Sequence, residues 1–151
     1  MPRFESNVTI ERSAEAVFAF LIRPENLAKI SPPESQLTFV EAPEQITLGT
    51  RLAFELGGFG PLQKVVHEIS VFEPPNRFVE RLVSGPLPVF VHEHVVEAQG
   101  EGSVVIDRID FEPPGGFIGL LVNEAKILES LKAAFAHRHR SLKEHLEQGT
   151  E

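Results

Sequence analysis

The chain has 151 residues, of which 42% are hydrophobic and 24% charged, a composition typical of one globular domain with a sizeable core. Its 14 Lys and Arg against 22 Asp and Glu give a formal net charge of −8, which opposes the phosphate backbone and argues against nucleic acid as a partner. Without cysteine, the chain cannot form disulfides, thiolate metal sites or a cysteine nucleophile. The N-terminus lacks a secretory pattern and no apolar run is long enough to span a bilayer, so we expect a cytoplasmic protein without membrane insertion.

The beginning of the chain predicts a strand followed by two short helices. Residues 4–12 alternate roughly between apolar and polar side chains, as in a strand. Ser13 can cap a helix over residues 14–22. Pro24 suits the first position of a second short helix, which extends through Ile30.

The middle of the chain predicts six further strands, because its hydrophobic pattern has a period of two between turns that contain Pro and Gly. The predicted strands are 36–42, 50–56, 62–73, 77–84, 87–98 and 103–112. The glycine-rich residues 57–60 lack the order of a nucleotide-binding motif and do not open a helix. We interpret them as a flexible hairpin tip.

From Phe117 to Leu146 the pattern becomes helical, with apolar residues spaced three and four apart. An antiparallel sheet with one buried face needs a cover, and this helix is the only large one that the sequence offers. We therefore predict a single α+β domain over residues 1–151, in which a curved, seven-stranded antiparallel sheet wraps around a long C-terminal helix. A gap between the sheet and the start of this helix is where we expect a small-molecule site.

Strand alternation also places polar side chains on the faces that turn towards the helix. The polar residues of this inward set are His67, Glu80, His92, His94 and Asp107. Burial of such groups without partners costs several kcal/mol, so we expect Glu80 or Asp107 to pair with His92 or His94. Such pairing is expected to raise the pKa of the histidines.

The inward cluster permits several interpretations. It can fix the strand register, orient a ligand, or exchange protons, and His94 with Asp107 is the acid–base pair that we nominate. His92 and His94 lie on one face of their strand and, with a carboxylate, could form a metal-binding triad. The basic run from His137 to Arg140 is interpreted as a solvated helix end that complements the helix dipole.

Several segments of the sequence, together with the order of the predicted elements, are similar to those of a known protein superfamily. They are Val17–Leu21, Pro24–Leu27, Ile30–Pro33, Phe78–Glu80, Gly85–Pro86, His92–His94, Asp107–Arg108 and Pro113–Gly116. In these segments the sequence resembles the START-like, or SRPBCC, helix-grip superfamily, and within it a bacterial cyclase/dehydrase-like branch. The superfamily includes lipid carriers, hormone receptors and polyketide cyclases and is not generally metal-dependent. The resemblance implies a hydrophobic small-molecule ligand and neither a metal nor another cofactor.

The sequence therefore predicts a protein that binds a lipid, isoprenoid or polyketide-like molecule between the sheet and the C-terminal helix. The predicted ligand-binding residues are Phe54, His67, Phe78, Glu80, Phe90, His92, Phe111, Leu120 and Leu128. The alternative is an enzyme of the cyclase or dehydratase type, in which His94 and Asp107 move protons on a carbonyl substrate. A third interpretation is a filled interior in a homodimer that associates through the outward Val89, Val91 and Val95.

Overall fold

The computed structural model describes residues 1–57 and 61–148. Its strands are β1 (Arg3–Ile10), β2 (Thr38–Glu41), β3 (Arg51–Leu56), β4 (Gln63–Glu73), β5 (Arg77–Ser84), β6 (Val89–Gln99) and β7 (Gly102–Glu112). Its helices are α1 (Ala14–Leu21), α2 (Pro24–Ile30), α3 (Ile118–Leu121) and α4 (Glu124–Gln148). A single 3-10 turn over Pro33–Ser35 leads into β2. Most of the predicted hairpin tip, residues 58–60, lies outside the described residues.

The seven strands form one antiparallel sheet in the order β1-β7-β6-β5-β4-β3-β2. The first and last strands of the chain therefore lie side by side, with Arg3 opposite Asp110 and Ile10 opposite Ser103. The two short helices follow β1 and the long helix closes the chain. This arrangement confirms the predicted α+β helix-grip architecture.

Local sequence signals determine where the first helices begin. The Ser13 hydroxyl accepts the backbone N–H of Ala16 over 3.1 Å, which satisfies one of the free donors at the start of α1. Pro24 occupies the first turn of α2, where its missing N–H and fixed φ are tolerated. The apolar stripe of α1 then turns Val17 and Leu21 into the core, where both are fully buried.

The interior divides into two apolar clusters under the sheet. The larger one joins α1, α2 and the strands to the last turns of α4, through Leu142 and Leu146. The second lies towards the beginning of α4 and is built on buried Ile109, Phe111, Ile127 and Phe135. Partly buried residues pack around this second cluster: Phe4, Leu87, Phe90, Val122, Leu128, Leu131 and Ala134.

The predicted helix over residues 117–146 is wrong in one respect, because the structure divides it in two. Asn123 separates α3 from α4 and caps α4, its side chain accepting the backbone N–H of Lys126 over 2.9 Å. The short α3 stands away from the core, and Leu120 on it is 73% exposed. No helix among residues 1–57 and 61–148 is long and apolar enough to cross a bilayer.

Candidate functional site

Five polar side chains enter the interior from four neighbouring strands, as strand alternation predicts. They are His67 on β4, Glu80 on β5, His92 and His94 on β6, and Asp107 on β7, and all five are buried. The register brings them together, since Glu80 lies opposite His92, and His94 lies opposite Asp107. The predicted inward faces of these strands are thus confirmed.

Glu80 joins two histidines from the strands on either side of it. His67 Nδ1 donates to Oε1 and His94 Nε2 donates to Oε2, each over 2.6 Å. An ionised carboxylate can only accept hydrogen bonds, so the ring nitrogens that face it carry the protons. Glu80 therefore connects β4 to β6 through the interior.

Asp107 joins the sheet to the long helix. His92 Nε2 donates to Oδ1 and His139 Nε2 donates to Oδ2, each over 2.7 Å. His139 lies on α4 and is buried, and its Nδ1 is 3.3 Å from the Ser6 hydroxyl on β1. The interpretation of residues 137–140 as mainly a solvated helix end is therefore wrong at His139.

The nominated acid–base pair has different partners from those predicted. The closest approach of His94 to Asp107 is 3.4 Å, between Nδ1 and Oδ1, and it lacks hydrogen-bond geometry in the described residues. The proton on His94 Nε2 is donated to Glu80 instead. His94 therefore pairs with Glu80, and Asp107 pairs with His92 and His139.

The two carboxylates are held in the ionised form. Burial alone raises the pKa of Glu80, but the hydrogen bonds from His67 and His94 reverse this and hold the pKa well below its usual value. Burial likewise raises the pKa of Asp107, and the hydrogen bonds from His139 and His92 hold it well below its usual value. Both groups therefore act as buried anions at neutral pH.

The predicted rise in histidine pKa is wrong for His92. Burial and the neighbouring His94 lower the pKa of His92 to about 4, although its hydrogen bond to Asp107 acts in the opposite direction. Burial has the larger effect because His92 is only 5% exposed: its ring stacks on His94 at 3.6 Å between ring centroids and meets the Phe135 ring edge-on at 5.4 Å. His92 is thus a neutral imidazole at pH 7.

Arg138 on α4 adds a permanent positive charge to the cluster. Its Nη2 donates to His94 Nδ1 over 3.4 Å, and its guanidinium carbon lies 5.2 Å from the centre of the Phe135 ring. Among the described residues, its Nε is a buried donor without a hydrogen-bond partner. The sequence offers no signal for this position, because Arg138 lies in the run that its pattern assigns to a solvated helix end.

Aromatic side chains surround the polar cluster. Phe78 stacks on His94 with ring centroids 4.0 Å apart, and Phe54 meets His67 edge-on at 5.0 Å. Phe90 lies on the other side of His67, at 5.7 Å.

The predicted ligand-binding residues are not all brought to this region. Phe54, Phe78 and Phe111 are buried, whereas Phe90 and Leu128 are half-buried at the second apolar cluster. Leu120 on α3 is exposed and belongs to neither apolar cluster.

Two of the cavities in the described part of the chain lie at the surface. One of about 190 Å³ follows the end of α4, and the other, of about 320 Å³, lies beside the end of β1. Neither is lined by a residue of the buried cluster. The rings of His67 and His92 lie against neighbouring rings: His67 contacts Phe54 and Phe90, and His92 contacts His94 and Phe135.

Three members of the cluster form a set that could hold a metal ion. One ligand atom from each of Glu80, His92 and His94 lies within 4.8 Å of the other two. Two imidazoles and one carboxylate are a ligand set found in both zinc and non-haem iron sites.

Solved structures of the same fold include the protein TTHA0849 from Thermus thermophilus, with a TM-score of 0.80 and 16% identity, covering 99% of this chain and 100% of that chain. A START superfamily protein from Mycobacterium smegmatis has a TM-score of 0.71 and 15% identity, covering 98% and 99%. The major latex-like protein 151 from Panax ginseng has a TM-score of 0.71 and 20% identity, covering 96% and 97%. At such identities the similarity shows the fold alone. No curated protein matches the sequence of this chain.

Family membership rests on the sequence rather than on these structures. The model of a family described as polyketide cyclase/dehydrase and lipid transport matches residues 1–147, nearly the whole chain. At the level of the family, this description supports hydrophobic small-molecule ligands. The chain therefore belongs to the polyketide cyclase/dehydrase and lipid transport family.

Proposed function

We propose that this protein binds an apolar small molecule with one oxygen-bearing polar group, a lipid, isoprenoid or polyketide-like compound, between the sheet and the first half of α4. The observation that carries the proposal is the unpartnered Nε of Arg138, a buried donor beside an apolar wall in the described part of the chain. A buried donor without an acceptor costs about 1–3 kcal/mol, and an oxygen atom of a ligand would remove this cost.

The second apolar cluster supplies the wall for the rest of such a molecule. Phe135 connects the cluster to the polar groups, since it contacts both His92 and His139 edge-on. Phe90 makes a second connection through His67. Because Phe90, Leu128 and their neighbours are only half-buried, their remaining exposed area is available for contact with a ligand. Apolar burial would then provide the main part of the affinity.

Binding can be tested with a fluorescent carboxylate-bearing chain, cis-parinaric acid, as the probe. Arg138→Met keeps the apolar stem and removes the guanidinium, and it is expected to weaken binding about tenfold or more, since hydrogen bonds to charged groups contribute about 1.5–3 kcal/mol. Arg140→Met, on the exposed side of the same helix, is the matched control and should bind as the unaltered protein does.

Two results would contradict the proposal: no saturable binding by the unaltered protein, or equal weakening in both variants. Native mass spectrometry of freshly purified protein adds an independent observation. A copurifying apolar molecule supports the proposal, whereas its absence together with no uptake of the probe favours a filled interior with a structural role.

The second candidate function is acid–base catalysis of the cyclase or dehydratase type in the same region. The hydrogen bond of 2.6 Å between His94 and Glu80 favours it, because an imidazole that contacts a buried carboxylate can pass a proton to and from a substrate. Asp107 would then hold His92 and His139 in place. Turnover of a carbonyl substrate with a bell-shaped pH dependence, lost in His94→Phe, is the test.

A cytoplasmic location and a homodimer remain predictions from the sequence. Val89, Val91 and Val95, the proposed contact surface, are half-buried in the single chain. Cell fractionation and size-exclusion chromatography with light scattering would test the two predictions.

A further inference from the structure

The ring of His92 turns its second nitrogen towards a carboxylate. Its Nε2 hydrogen-bonds Asp107 Oδ1 at 2.7 Å. Its Nδ1 lies 3.9 Å from Glu80 Oε2, too far for a hydrogen bond. This separation is close to twice a zinc–ligand bond of about 2.0–2.1 Å, so an ion fits between the two atoms.

His94 adds a third ligand atom at the same carboxylate oxygen. Its Nε2 is 2.6 Å from Glu80 Oε2, and the three ligand atoms lie within 4.8 Å of one another. A tetrahedral zinc ion with bonds of about 2.0–2.1 Å holds its ligand atoms about 3.3 Å apart. The two separations in the structure, 2.6 and 3.9 Å, bracket this value. Shifts of less than about 1 Å would therefore complete the geometry.

The groups behind these three side chains are those that support metal ligands in proteins. A histidine that binds a metal usually donates its other N–H to a carboxylate, as His92 does to Asp107. Glu80 uses its second oxygen to accept from His67, which fixes the direction of the first. An ion at His94 Nε2 requires the ring proton to sit on Nδ1, where Arg138 now donates, so the contact with Arg138 has to give way when the ion binds.

The charge of the cluster also fits a divalent cation. Glu80 and Asp107 place two carboxylates in the interior, and Arg138 is the permanent cation that contacts the cluster among the described residues. A buried anion needs a compensating positive charge close by. An ion bonded to Glu80 Oε2, between this oxygen and His92 Nδ1, would supply that positive charge.

We propose that Glu80, His92 and His94 bind one divalent metal ion of the zinc class, with its fourth position open. Three protein ligands and one free position are the arrangement of catalytic rather than structural zinc sites. The site revises the expectation, drawn from the sequence, that the protein takes no metal. It uses no part of the apolar wall, and it meets the proposed ligand site at the contact between Arg138 and His94.

The test uses the full chain, purified without a histidine tag and stripped of metal with a chelator. Isothermal titration with Zn²⁺ is expected to give one ion per chain, and Co²⁺ is expected to give the visible absorption of a four- or five-coordinate site. His92→Gln and His94→Gln should each weaken Zn²⁺ binding about 100-fold or more. His67→Gln, behind Glu80, should weaken it about 10- to 100-fold. His145→Gln on the exposed side of α4 is the control and should leave it unchanged.

Circular dichroism confirms that each variant is folded before it is titrated. His94→Phe keeps the ring stacked against Phe78 and serves where His94→Gln does not fold. The proposal is overturned if the unaltered protein binds no stoichiometric metal, if the ligand variants bind as tightly as it does, or if His145→Gln weakens binding as much as they do.

Discussion

Asp107 provides the sharpest test of the buried cluster. It is 1% exposed and accepts N–H groups from His92 and His139. Asn at this position keeps the shape but has one acceptor oxygen, and its amide nitrogen would face the second ring N–H as another donor. One buried donor is then left unsatisfied, at about 1–3 kcal/mol, and a charge-assisted bond becomes a neutral one. We expect Asp107→Asn to lower the free energy of unfolding by about 2–4 kcal/mol.

The matched control is Asp110→Asn on the same strand. Asp110 faces outward and pairs with Arg3 at 2.8 Å, where both side chains are substantially exposed to water. An exposed pair of this kind contributes about 0–1 kcal/mol. Urea unfolding followed by circular dichroism at pH 7, with chelator present, gives both values. If the two variants lie within about 0.5 kcal/mol of each other, the assigned role of Asp107 is refuted.

Three further expectations follow from burial and pairing. The pKa of His92 falls from 6.5 to about 4 on folding. In protein treated with a chelator, the free energy of unfolding should therefore be highest above pH 6.5 and fall by up to about 3 kcal/mol towards pH 4. His92→Phe should flatten this decline when urea unfolding is measured across the pH range. Phe78→Ala, which empties a buried site beside His94, should cost about 3–5 kcal/mol in thermal unfolding, whereas Leu120→Ala should stay within about 0.5. Glu93 pairs with two arginines that lower its pKa; Glu93→Gln should cost about 1 kcal/mol at pH 7, a difference that vanishes once acid protonates the carboxyl group.

The strand half of the site could be predicted because a strand has only two faces. Once Val96 and Ile109 are assigned to the core, alternation determines that His94 and Asp107 are inside as well. The structure bears this out over four strands. The pairing of particular side chains was beyond the sequence, because it depends on side-chain conformation as well as on strand register. The register places His94 opposite Asp107 and His92 opposite Glu80. The side chains nevertheless hydrogen-bond diagonally, His94 to Glu80 and His92 to Asp107.

The helical half of the site could not be predicted from its sequence. In the run from His137 to Arg140, successive residues point around the whole circumference, and only the rotation of α4 against the sheet decides which of them is buried. The structure buries His139 and half-buries Arg138, while Arg140 is exposed. The break before α4 did carry a signal, since Asn123 is a favourable capping residue, but the apolar spacing on either side of it concealed the interruption.

The contacts of α4 with Asp107 and His94 have a mechanical consequence. His139 and Arg138 fasten the middle of the helix to the sheet, and Leu142 and Leu146 seat its later turns in the larger core. Sliding the helix along its axis would break the buried hydrogen bond of His139 to Asp107, so this bond sets the axial position of α4 on the sheet.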